Sequence, residues 1–115
     1  LVRGLGLPYR VVNVAAGDLG DAAAKKYDIA AWFPSQGRFR EIASTSITTD
    51  YQSRRLKIRH RSEGGNRFVH TLNGTAVAVG RVLIALMENN QQSDGSIVIP
   101  EALAEYTRFD RIGPA

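Results

Sequence analysis

HTLNGTAVAVGRVLIALMENNQ, residues 70–91, is the stretch on which the reading of the chain turns. Asn73, Gly74 and Thr75 read as a polar break after a strand. From Ala76 to about Asn90 the residues are helix-compatible and apolar nearly all round, which predicts a helix buried against a sheet. Arg81 stands inside it. A guanidinium keeps its charge, and burying it without an anion is costly. With a helix start near Thr75–Val77, Arg81 falls between one and two turns in. Gly80 beside it costs about 1 kcal/mol against alanine in a helix interior, which makes sense where something approaches the backbone closely. Together they predict an anionic ligand. The competing reading pairs Arg81 with a buried acid such as Glu41.

FREIAS, residues 39–44, reads as a strand. Glu41 and Ser44 are hard oxygen donors, suited to magnesium, which bridges to phosphate oxygens. With Arg81 they make an acid, a metal and a cation, the means to hold a nucleoside triphosphate and stabilise charge as phosphoryl bonds break. GTAVAVG is not GxGxxG and no GxxxxGK[ST] occurs, so neither a dinucleotide fold nor a P-loop is indicated.

Outward from these segments, YRVVNV (9–14) and YDIAAWF (27–33) read as strands. AAGDLGD (15–21) reads as a loop, and residues 22–26 as a helical turn or more loop. Pro34 and PSQGR close the second strand, and the short link to the third predicts an antiparallel hairpin. STSITTD is hydroxyl-rich and loop-like, with Thr49 or Asp50 as the cap of a helix from Tyr51. SEGGN (62–66) reads as a turn or loop and RFVHTL (67–72) as a fourth strand. SDG (93–95) ends the long helix. IVIP follows as a short extended piece, then PEALAEY (100–106) as a terminal helix with Pro100 at its start. Strands followed by a buried helix predict an α+β fold with a mostly antiparallel sheet.

The 115 residues and 43% hydrophobic content suit one compact domain or a piece of a larger one. The absence of cysteine excludes a disulfide framework and thiolate metal sites. No apolar run approaches the roughly 20 residues of a membrane span. The chain starts at Leu1 and its single methionine is Met87, as expected of an excised piece. RRLKIRHR, residues 54–61, carries five Arg or Lys and no acid. It is either a solvated helix face or a phosphate-facing patch. No aromatic residue interleaves with it, so a base-stacking platform is not indicated.

LGLPYRVVNVAAGDLGDAAAKKYDIAAWFPSQGRFREIASTS, DYQSRRLKIRHR and FVHTLNGTAVAVGRVLIALMENNQQSDGSIVIPEAL together resemble the C-terminal half of the catalytic domain of the seryl-tRNA synthetase family, class II aminoacyl-tRNA synthetases. The resemblance spans almost all of residues 4–106. It implies an active site on an antiparallel sheet flanked by helices. There, serine is activated with ATP to seryl-adenylate and passed to the terminal ribose of tRNA. It implies that Glu41, Ile42, Ala43 and Ser44 bind ATP, and that Glu41 and Ser44 hold Mg2+. Arg81 matches the motif 3 arginine, a catalytic contact to the ATP phosphates. Asn73 and Thr75 match positions lining the serine pocket. Implied partners are serine, tRNA(Ser) through the full-length enzyme, and a second copy in a homodimer, in the cytoplasm and without a membrane. Residues 1–115 would be the C-terminal part of the catalytic domain, with motif 1, motif 2 and the tRNA-binding coiled coil outside them. The family pattern Glu-Ile-x-Ser-x-Ser-Asn ends here in Ile47 instead of asparagine. With no cysteine, the ordinary magnesium-dependent type fits better than the zinc type. Two alternatives stay open: a synthetase-like paralogue with another acceptor or no activity, and a basic RNA-binding module built on residues 54–61.

Overall fold

A computed structural model describes residues 1–114. In chain order the elements are β1 (Tyr9–Asn13), β2 (Lys25–Phe33), β3 (Arg38–Thr49), α1 (Tyr51–Leu56), β4 (Arg59–Ser62), β5 (Gly65–Phe68), β6 (Thr71–Thr75), α2 (Val79–Asn90), β7 (Ile97–Val98), α3 (Glu101–Thr107) and β8 (Arg111–Ile112). One sheet has the order β1-β2-β3-β6, and β4–β5 and β7–β8 are separate two-stranded pairs. The β3–β6, β4–β5 and β7–β8 pairings are antiparallel, and the fold is the expected α+β. The chain forms two compact units: residues 1–10, 29–42 and 77–115, and residues 11–28 and 43–76.

The first unit is built on a small apolar core that includes Leu7, Phe33, Ile42, Val82 and Ala85. Gly37, at φ 58°, closes the tight link after β2, with its N–H on the Pro34 carbonyl. Helix α2 begins at Val79, later than expected. Residues 76–78 before it are not helical, and the Ala78 N–H donates to the Ile42 carbonyl at 3.0 Å. Arg81 therefore lies in the first turn. Nor is α2 buried all round. Val82 and Ala85 are buried, while Val79 is 74% exposed and Leu83, Ile84 and Met87 are also exposed. At 3.6 residues per turn only one stripe of a surface helix meets a core. Polar contacts seat that helix. Glu88 accepts from the Ser35 N–H (3.0 Å) and hydroxyl (2.7 Å), and Asn89 donates to the Trp32 carbonyl at 2.9 Å. Pro100 is the cap of α3 rather than its first residue. β8, with no strand expected for it, pairs Ile112 with Ile97 and Arg111 with Val98.

In the second unit STSITT is strand, not loop. β3 runs for 12 residues through it to Thr49. Thr and Ile are β-branched and favour extended backbone, which outweighs the turn chemistry of their hydroxyls once a partner strand is present. That partner is β6, so Asn73, Gly74 and Thr75 are strand residues rather than a break. RFVHTL splits between β5 and β6 around Val69 and His70. Lys25 and Lys26 already belong to β2, so residues 22–26 are not a helical turn. SEGGN closes a hairpin, with Ser62 opposite Gly65. Asp50 is the N-cap of α1 but its side chain does not cap. It takes Arg54 instead, at 2.7 Å.

The β3–β6 register slips between Ile47 and Thr49, which leaves Thr48 without a strand partner. Its buried hydroxyl compensates, donating to the Thr71 carbonyl at 2.7 Å and lying 2.6 Å from the Thr71 hydroxyl. Thr71 in turn donates to Gln52 at 2.9 Å, and buried Ser53 donates to the Val69 carbonyl at 2.7 Å. Hydroxyls thus fasten α1 and β6 to the end of β3. Thr48→Val, nearly isosteric, strands the Thr71 groups and is expected to cost about 1–3 kcal/mol, read from denaturant unfolding. A loss below the error of that measurement would show that the network carries no stability.

Candidate functional site

Arg81 reaches β3 through the backbone. Its Nη1 donates to the Glu41 carbonyl oxygen at 3.1 Å. The alternative pairing with the Glu41 carboxylate is not formed, and Arg81 makes no ion pair among the described residues. Nor is it buried: Arg81 and Glu41 are both exposed. The apolar surroundings inferred from the sequence were those of a fully buried helix. In the first turn of a half-exposed helix, a guanidinium has room to extend. It lines a small cavity of about 180 Å³ with Phe33, Gln36, Arg40 and Ile84. Arg40 donates to Gln36 at 3.0 Å, so two guanidiniums border this space. No protein atom among the described residues approaches Gly80: a Cβ there would meet nothing within 4 Å.

Ser44, Asn73 and Thr75 belong to the second unit, and the β3–β6 register brings them together. Ser44 pairs with Thr75 and Ser46 with Asn73. Directly opposed residues point to the same face, and so do residues two apart on one strand. Ser44, Ser46, Asn73 and Thr75 therefore present three hydroxyls and an amide on one face. Ser44, Ser46 and Asn73 line an open cleft of about 510 Å³, bordered also by Gln52, Tyr51 and Lys26. Lys26 pairs with Asp28 at 3.1 Å. Reading from the sequence assigned no role to Ser46, Gln52 or Lys26. The alternation Ser44-x-Ser46-x-Thr48 was the available signal for Ser46.

The glycine that matters is Gly74. A Cβ on it would lie 3.0 Å from the Ser44 carbonyl oxygen and 3.3 Å from the Thr45 hydroxyl. Ile47 lies on the face opposite Ser46, is 40% exposed, and accepts the Ala24 N–H on its carbonyl at 2.8 Å. Ile47 is not among the residues that line the cleft. Ile42 and Ala43 are buried, so neither side chain is available to a nucleotide. The Ile42 carbonyl is taken by Ala78. Any nucleotide contact at these two residues is made by backbone. Glu41 and Arg81 fall in the first unit and Ser44 in the second.

Residues 2–90 match the model of the tRNA synthetase class II core domain (G, H, P, S and T). The chain belongs to the class II tRNA synthetase core family. Within that family it is similar to the serine–tRNA ligase of Picrophilus torridus, 60% identical over 114 residues. The match covers 98% of this chain and 26% of that one. The serine–tRNA ligase of Thermoplasma volcanium is 62% identical over 112 residues, 97% of this chain and 25% of the relative. Among solved structures, the seryl-tRNA synthetase of Pyrococcus horikoshii complexed with ATP superposes with a TM-score of 0.93 at 53% identity. That superposition covers 98% of this chain and 26% of the other. The cytoplasmic serine–tRNA ligase of Naegleria fowleri in complex with AMP gives 0.87 at 42% identity, over 96% of this chain and 26% of the other. The chain thus spans about a quarter of the length of the curated relatives it matches. Among the described residues, this synthetase core segment has no helix long and apolar enough to cross a membrane.

Gly74→Ala is expected to push β6 from β3 and lower stability by about 1–3 kcal/mol. Gly80→Ala, facing open space, should stabilise α2 by a few tenths of a kcal/mol up to about 1 kcal/mol. Thermal unfolding of the two variants side by side checks the ordering; the reverse order would refute the assignment.

Proposed function

We propose that this chain supplies part of the ATP- and serine-binding site of a serine–tRNA ligase. The observation that carries the reading is Arg81: a surface guanidinium in the first turn of α2, anchored on a strand carbonyl and outside any ion pair among the described residues. The first turn of a helix also has N–H groups without intrahelical partners and a positive end of the helix dipole. That is a place for phosphate oxygens. The likeness to a seryl-tRNA synthetase solved with ATP supports the same assignment.

In the proposed reaction the serine carboxylate attacks the α-phosphorus of ATP. The bond to the β-phosphate oxygen breaks, and pyrophosphate leaves as seryl-adenylate forms. Arg81 donates to the phosphate tail and neutralises the charge that builds on the departing pyrophosphate. In the second step a ribose hydroxyl of the tRNA end attacks the seryl carbonyl, its proton departs, and AMP is released. Asn73 and Thr75, with Ser44 and Ser46 on the same face, offer hydrogen bonds to a small hydroxylated substrate. A site built to bond a hydroxyl rejects an analogue lacking it, because its own polar groups are then left unpaired.

The described residues contain no group of three or more His, Cys, Asp or Glu able to hold a metal ion. Magnesium needs no such cage. It is commonly bound by one or two carboxylates, with substrate phosphates and water completing its shell. Glu41, in the first unit, has an exposed carboxylate in no ion pair among the described residues and is a donor of that kind; Ser44, in the second unit, is a hydroxyl donor. The ion, when bound, would offset phosphate charge. Homodimerisation and a cytoplasmic location belong to the same proposal.

Arg81→Ala, made in an enzyme of the relatives' full length that carries this segment, is expected to slow serine-dependent pyrophosphate exchange by roughly 10²–10³-fold. An unchanged rate would remove Arg81 from the chemistry. The 115-residue chain alone is expected to give little or no exchange; robust turnover by it would overturn this division of the site.

A further inference from the structure

The net charge of the protein is concentrated in one place. Residues 50–68 hold six Arg or Lys and two acids, and so carry the whole net charge of +4. Outside them nine basic residues meet nine acidic ones. These residues are α1 and the β4–β5 hairpin, all within the second unit. Asp50 is already occupied. The Arg54 hydrogen bond and charge hold its carboxyl below the usual carboxylate range, and Arg54 is raised in return. That leaves Arg55, Lys57, Arg59, Arg61 and Arg67 against Glu63 alone. All five are exposed, and none makes an ion pair among the described residues.

Register spreads these cations over both faces of the hairpin. Arg59 pairs with Phe68 and Arg61 with Asn66 on one face, whereas His60 pairs with Arg67 on the other. The aromatic rings nearby serve to hold guanidiniums. Arg54 and Arg59 both stack on Phe68, at 4.9 and 4.6 Å, and Arg55 lies 3.4 Å from the Tyr51 ring centre. Rings used in this way are not open platforms for unstacked bases, which single-strand recognition needs. A flat anionic membrane would meet one face only, and α1 has six residues, too short for an amphipathic anchor. A narrow ribbon with cations on both sides instead suits a polyanion with two rows of charge.

We propose that α1 and the β4–β5 hairpin form an RNA-binding surface that engages the phosphate backbone of a helical RNA, independent of base sequence. That the RNA is the tRNA to be charged rests on the ligase reading above; the binding itself does not.

The test uses the full-length enzyme carrying this segment and a fluorescently labelled transcript of a serine-accepting tRNA. Binding is followed by anisotropy between 50 and 300 mM salt, both chosen as roughly the range where counterion release is measurable. The combined variant Lys57→Gln, Arg59→Gln, Arg61→Gln, Arg67→Gln is expected to bind at least about tenfold more weakly. Its slope of log K against log salt should be shallower by about 3. Arg59→Lys, Arg61→Lys, Arg67→Lys should keep the slope. Lys57 and Arg61 make no aromatic contact or ion pair among the described residues, so Lys57→Gln, Arg61→Gln decides the matter if the fourfold variant does not fold, with an expected slope change of about 2. Unchanged affinity and slope in a folded variant would overturn the proposal. So would binding of the parent to phosphatidylserine vesicles but not to RNA. Serine-dependent pyrophosphate exchange needs no RNA and is run alongside: its absence in the parent refutes the ligase reading, while the slopes still judge this surface.

Discussion

Close pairing of β3 with β6 is the contact on which the polar cleft depends. Gly74 allows it, since the Ser44 carbonyl lies where a Cβ would sit. Because the two strands meet at this distance and in this register, Ser44 faces Thr75 and Ser46 faces Asn73. Hydroxyls and an amide that are about 30 residues apart in the chain then share one face. A slip of a single residue would turn them to the other side of the strand. The register is pinned at its end by Thr48, whose hydroxyl takes up the Thr71 carbonyl where the ladder is interrupted. Backbone geometry and buried hydroxyls, rather than apolar bulk, hold this part of the molecule.

The first unit solves a different problem. Its core is small, and α2 gives it only one stripe of side chains. Glu88 and Asn89 add hydrogen bonds to the turn after β2 and to Trp32, which secures the helix where apolar burial is thin. The exposed side of α2 carries Val79, Leu83, Ile84 and Met87. The same partial burial leaves Arg81 extended in the first turn, with one hydrogen bond on a carbonyl that cannot neutralise it. A cation held in position but not paired suits a charged substrate better than a structural ion pair would, because no existing bond must break when the anion arrives.

Charge is partitioned as sharply as polarity. Nine acids balance nine bases outside residues 50–68, so the field of the molecule is set by one helix turn and one hairpin. Phe68 and Tyr51 hold three of these guanidiniums by stacking, which limits their freedom without removing their charge. In the linear sequence Phe68 stands beyond the SEGGN turn from RRLKIRHR, and its part in the patch appears only when β4 and β5 pair.

The sequence alone determined the family resemblance, the α+β class and the strands whose residue types favour extended backbone, such as the β-branched YRVVNV, together with YDIAAWF. It also singled out Arg81, since a lone cation in an apolar run is visible locally, whereas Asn73 and Thr75 read locally as a break and were assigned to a site only through the family resemblance. Tertiary structure decided what those residues meet. STSITT and LNGT became strands because each supplied the other's hydrogen-bond partner, a non-local fact that hydroxyl content obscures. Which glycine packs against a neighbouring strand depended on what lies across from it: Ser44 lies across from Gly74, whereas no protein atom among the described residues comes near Gly80. Helix burial likewise depended on how many surfaces α2 meets. Composition reports how apolar a segment is; only the packed neighbours set which of its faces leave water.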